Sequence, residues 1–218
     1  MSAVALVTLA SALALTLVAL ALSATPAQST ERNAATTPVS GGKTLLKLDP
    51  DTAAALSDAG VKVEATGKAT GPTGNGVLRF PIVGGKVDKD PLGGQIVHSG
   101  GLAFSAGSER VVVQSFVIDL DRGVLTAEVA GTDQRIVLLK LGDPEGAKVG
   151  AEKIVLRGVD AKLTAQAATA LNKAFDTELF KKGLLIGEAT VIAQIGDDNN
   201  DDDNNDDDND DKNKHDDD

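Results

Sequence analysis

Through most of the middle of the chain, apolar and polar residues alternate with a period of two, the pattern of half-buried strands. In Val77-Leu78-Arg79-Phe80-Pro81-Ile82-Val83, Leu78, Phe80 and Ile82 share one face and Arg79 takes the other. Pro81 has no N–H to give to a ladder, which predicts a place at a sheet edge. Residues 94–98 and 102–105 read as the two arms of a hairpin. Ser99-Gly100-Gly101 is its loop, with Gly where a positive φ is needed and His98 at the tip. Residues 110–120 are apolar on both faces for much of their length, as a central strand is. Asp121-Arg122-Gly123 turns that strand into 124–129, and 135–141, 153–157 and 187–195 complete the set.

Helical spacing replaces alternation twice. Asp49 precedes Pro50 as an N-cap, and Gly60 stops the helix. Thr164 caps a second helix, 164–175, with Ala167, Leu171 and Ala174 on one side. Residues 48–56 (L-D-P-D-T-A-A-A-L) resemble 163–171 (L-T-A-Q-A-A-T-A-L), and G-x-A-T follows each, at 67–70 and 187–190. This suggests a weak internal duplication. The expected fold is mainly β, an antiparallel β-sandwich with two short peripheral α-helices.

The two ends of the chain have other compositions. Residues 3–22 are an uncharged apolar run, leaving into Ser23-Ala24-Thr25-Pro26-Ala27. They read as a secretory signal within 1–27, cleaved after Ala24 or Ala27. No Lys or Arg precedes the run, so an uncleaved N-terminal anchor is the alternative. Residues 28–42 read as a Thr/Ser/Pro/Gly-rich linker, and 43–196 as one domain, large enough to bury a core. Residues 197–218 hold 13 Asp and 2 Lys, which equals the net charge of −11 of the whole chain, so the acidity belongs to the tail. Such a segment cannot bury apolar surface and is expected to be disordered. Its oxygens at Asp201, Asp202, Asp203, Asp206, Asp207 and Asp208 offer weak, non-specific Ca²⁺ binding, because no Gly shapes a loop around them. The reading is a secreted or cell-surface protein whose partner is the cell envelope or another surface protein. Its body carries no membrane span. A neutral body with a polyanionic tail argues against nucleic acid.

The chain has no Cys, Trp or Tyr, and just five Phe. Lipid attachment to a cysteine and disulfides are excluded, and no G-x-S-x-G elbow is present. Asp88 with Asp90, and Asp119 with Asp121, sit in turn contexts where Asp bonds nearby backbone. Ser99 adjoins His98, but neighbours on a strand point to opposite faces. His98 is the only histidine outside the tail and the one candidate ligand-binding residue. Its plainer role is to bond a loop carbonyl; its sharper role is to anchor a ligand in an apolar pocket.

Around His98 the chain resembles a known family. Gly94-Gln95-Ile96-Val97-His98-Ser99-Gly100-Gly101-Leu102-Ala103-Phe104, the strand 111–118, and Gly123-Val124-Leu125-Thr126-Ala127-Glu128-Val129 resemble the HtaA-type domain of exported actinobacterial proteins. The likeness covers about residues 93–129. It implies an exported β-rich surface domain. It also implies haem as a ligand, since the best-known members bind haem with a Tyr and a His, and His98 stands at that histidine's position. Val97 replaces a Gly of the motif, and the Tyr has no counterpart here. The expectation is therefore a structural or interaction domain without catalytic activity and without a cofactor. A module binding haem or another apolar small ligand through His98 is the alternative.

Overall fold

The structure is a computed structural model in which residues 36–196 are described. The signal, most of the linker, and the tail with Asp201, Asp202, Asp203, Asp206, Asp207 and Asp208 lie outside the described residues. In chain order the elements are β1 (Thr37–Leu48), α1 (Pro50–Asp58), β2 (Lys62–Thr66), β3 (Val77–Lys89), β4 (Leu92–His98), β5 (Gly101–Ala106) and β6 (Glu109–Asp119). They continue with β7 (Val124–Val129), β8 (Arg135–Leu141), β9 (Gly146–Val149), β10 (Lys153–Leu163), α2 (Ala165–Phe175) and β11 (Leu185–Ile195). Strand β1 starts at Thr37, inside the stretch read as a linker, and pairs with both β11 and β3. Gly42 permits this pairing: its φ is +124°, and a Cβ there would fall on the Ile192 carbonyl oxygen.

The predicted sandwich is corrected to a barrel. Strands β1, β3, β4, β6, β7, β8, β10 and β11 pair antiparallel in that order, and β11 returns to β1. Alternation reports one buried face, which a sandwich and a barrel share. Closure depends on β6 using both edges, with Ile118 opposite Ile96 on β4 and Leu125 on β7. Strands β2 and β5 extend the sheet from β6, and β9 lies along β10.

The predicted hairpin at 99–101 is also absent. Strands β4 and β5 follow one another along β6, β4 opposite Val117–Asp119 and β5 opposite residues 109–114. They form one bent strand whose outer neighbour changes from β3 to β2. The glycines serve this bend: a Cβ on Gly100 would meet Ala69, and one on Gly101 would meet the Val113 carbonyl. Across the bend, Ser115 has φ +53°. Arg135 braces it, donating to the Ser115 carbonyl (2.9 Å), Thr126 Oγ1 (3.0 Å) and Glu128 Oε1 (2.6 Å).

Pro81 lies in a central strand, not at an edge, since β3 pairs with β1 and β4. Its missing N–H costs nothing because β4 ends opposite Ile82, and the Pro81 carbonyl still accepts from Ser99 N at 3.0 Å. The helices form as read. Asp49 Oδ1 accepts from Thr52 N at 2.9 Å, and Thr164 Oγ1 accepts from Ala167 N at 3.2 Å. The duplicated G-x-A-T motifs part company: 67–70 follows β2 as a turn and a bridge, whereas 187–190 runs inside β11.

Strand directions give the barrel two different ends. α1 follows β1 and α2 follows β10, so both helices stand at the same end. There Leu56 and Leu171 join Phe180, Leu138 and Leu163 in the core. The opposite end carries the β6–β7 turn, the segment after β8, and the points where β1 begins and β11 finishes.

Candidate functional site

The barrel is not filled. A cavity of about 550 Å³ lies within it. Its walls are Leu46, Phe80, Phe116, Ile118, Leu138, Leu156, Val159 and Val191, all buried. Ala161 on β10 and Ala189 on β11 are small residues of this lining. Phe80 and Phe116 pack edge to face, with ring centroids 5.3 Å apart. Eight strands give an interior that side chains just fill, or that holds one small ligand. The volume lies in the ordinary range of ligand pockets, about 300–1,000 Å³.

The polar residues of the cavity fall into two groups. At the end away from the helices, exposed Asp121, Arg122, Lys140 and Asp143 line the rim with Gly123, Gly142 and Pro144. These charges are partly spent. Arg122 faces Asp119 at 3.9 Å, and Lys140 Nζ donates to the Arg122 carbonyl at 2.7 Å. Asp121 Oδ2 accepts from Gly94 N at 3.0 Å. Deeper, Thr44 on β1 meets His98 at the end of β4, Oγ1 to Nε2, at 2.7 Å. Both are buried, His98 to 3 % exposure.

His98 is thus placed inside the barrel, not at a loop tip. Burial is the main influence on its pKa, lowering it from 6.5 to about 4, while nearby backbone of Phe116 and Ile96 favours the cation and offsets only part of this. The ring is neutral at pH 7. Its Nδ1 is buried with no partner at hydrogen-bonding geometry. Ser99 Oγ is likewise buried and unpartnered, and no bond joins it to His98.

The acidic pairs do not assemble a site. Asp119 Oδ1 accepts from Arg122 N at 3.0 Å, as turn chemistry expects. Among the described residues no cluster of three or more His, Asp or Glu is arranged to hold a metal ion. Of the two haem-binding residues the resemblance implies, the chain supplies His98 alone. Nε2, the imidazole nitrogen that usually ligates, is buried and bonded to Thr44 Oγ1, and the chain has no tyrosine. The residues present do not fit haem.

Sequence reasoning missed Thr44 and the small residues of β10 and β11. The signal was available: Ala161 and Ala189 occupy inward positions of strands where Val, Ile or Leu usually fill space.

Comparison with solved structures recovers the fold. The chain is similar to the C-terminal domain of HtaA from Corynebacterium glutamicum, with a TM-score of 0.56 and 15% identity, over 73% of this chain and 99% of that one. It is also similar to a His-to-Ala variant of that domain, solved as a domain-swapped dimer, with a TM-score of 0.50 and 17% identity over 67% and 91% of the two chains. No family model matches, and no curated protein matches. At these identities the likeness is one of fold: the described residues share the fold of that HtaA domain.

Proposed function

We propose that this HtaA-like domain is a non-catalytic binding module of an exported protein, and that it holds an apolar small molecule inside the barrel. The observation that carries the reading is the cavity of about 550 Å³, aliphatic and aromatic on its walls and polar at Thr44 and His98. A cavity of that size is costly to leave empty, because its lining forgoes dispersion contacts and its apolar walls hold water poorly. A few fixed polar groups in an apolar enclosure are the usual composition of a small-molecule site. Export rests on the apolar leader at 3–22. An apolar face for docking another protein has less support. Among the described residues, the large hydrophobic side chains that stand exposed are Val83 and Val149.

The test is titration of the full chain with the neutral fluorescent probe N-phenyl-1-naphthylamine. A cavity-blocked variant, Ala161→Trp, corrects for binding to the apolar leader. Wild type should add one saturable site that the blocked variant lacks. Identical titrations of two equally folded proteins would remove the reading.

A further inference from the structure

We infer that the barrel selects an uncharged ligand bearing one hydroxyl group, inserted polar end first against Thr44 and His98, and that it discriminates against carboxylates. This rests on the small-molecule reading above and names the ligand's chemistry.

Three observations converge. The first is position. His98 ends β4 on the helix-covered side, while the rim residues lie past the ends of β6 and β8. The polar pair is therefore remote from the rim, with apolar wall between. A ligand with a polar head and an apolar body matches that order only when its head goes in first.

The second is unused hydrogen-bonding capacity. A threonine hydroxyl has one donor and two acceptor sites. A single bond at 2.7 Å links Thr44 to His98, and both side chains line the cavity. That bond leaves the Thr44 hydroxyl a free site for a ligand oxygen. A hydroxyl suits either tautomer of the ring, because it donates and accepts.

The third is charge. No cation lines the deep end, and burial keeps the imidazole neutral there. A carboxylate brought to Thr44 would lose its hydration without gaining a counter-charge. At the rim Asp121 and Asp143 balance Arg122 and Lys140, so no net positive charge waits there for a carboxylate.

The test uses displacement of N-phenyl-1-naphthylamine from the full chain at pH 7.5 by 1-decanol and decanoate, which are close in apolar length. Decanol should displace the probe at concentrations at least about tenfold below decanoate, a ratio worth ~1.4 kcal/mol. Thr44→Val should weaken decanol several-fold, each variant being read against its own directly titrated probe affinity, while Thr44→Ser, which keeps the hydroxyl, restores decanol. Decanoate displacing the probe as well as decanol would overturn the inference and leave the small-molecule reading standing. So would a Thr44→Val protein that binds decanol as wild type does. Failure of the probe to bind above the Ala161→Trp baseline would remove both.

Discussion

Ala189→Leu reverses the usual sign of a core enlargement. Ala189 lies on β11 with its side chain against the cavity, opposite Leu46 on β1 and Val159 on β10. In a filled core, added carbons force strained rotamers and cost about 1–3 kcal/mol. Here the three added carbons enter open space. Burying them gains about 0.8 kcal/mol each, roughly 2.4 kcal/mol together. Fixing a leucine side chain costs about 0.5–1 kcal/mol. The expected balance is a stabilisation of about 1.5 kcal/mol, a rise in thermal midpoint of about 3–6 °C for a domain of this size. The chain has no Trp or Tyr, so unfolding in urea is best followed by far-ultraviolet circular dichroism. The same variant should bind N-phenyl-1-naphthylamine more weakly, since the gain and the loss come from one volume. A cooperatively folded Ala189→Leu protein less stable than wild type by about 1 kcal/mol or more would show that the barrel interior is packed.

His98 should make stability depend on acid. Its folded pKa of about 4 lies below the unfolded value of 6.5, so folding releases a proton. Its contribution is whole above pH 6.5, declines as pH falls to about 4, and changes no further below. The full shift corresponds to about 3 kcal/mol. In paired urea titrations, wild type should lose about that much more than His98→Leu between pH 7 and 4; parallel curves would refute the burial argument. Gly85→Ala should destabilise by more than about 2 kcal/mol. Its φ is +132°, and the new Cβ would fall on the Gln95 carbonyl oxygen, whereas Gly107→Ala at φ +58° meets open space and should cost about 1 kcal/mol. Truncation after Gly196 should leave the thermal midpoint within a few degrees, because terminal and surface changes cost within about 0.5 kcal/mol. Calorimetry of the isolated tail should find no saturable Ca²⁺ site tighter than about millimolar; a micromolar, stoichiometric site would refute this.

Elements whose signal is local were legible. The period of two placed residues 124–129 and 135–141 as the strands they are, and Asp49 and Thr164 cap the helices they were read to cap. Errors arose where local chemistry serves a tertiary purpose. Ser99-Gly100-Gly101 has the composition of a hairpin loop, yet its glycines admit the close approach of Ala69 and Val113. Pro81 obeys the rule about missing donors inside a central strand, because β4 has already ended beside it. Strands such as β10 ran longer than their alternation, since a bulge between Leu156 and Val159 resets the inward face. His98 was found because it is alone. Thr44 was not, because a threonine in a strand is unremarkable until β1 and β4, which do not pair, bring it 2.7 Å from the imidazole.

Whether a ligand enters the barrel can be read from its methyl groups. The full chain, labelled at Leu and Val methyls, would be titrated with N-phenyl-1-naphthylamine to one equivalent and followed by two-dimensional NMR. Shifts should concentrate at Leu46, Leu138, Leu156, Val159 and Val191, which line the cavity, and leave the exposed Val83 and Val149 unchanged. Unmoved interior methyls, with changes at Val83, Val149 or the leader alone, would place the probe outside the barrel and end the case for a binding cavity.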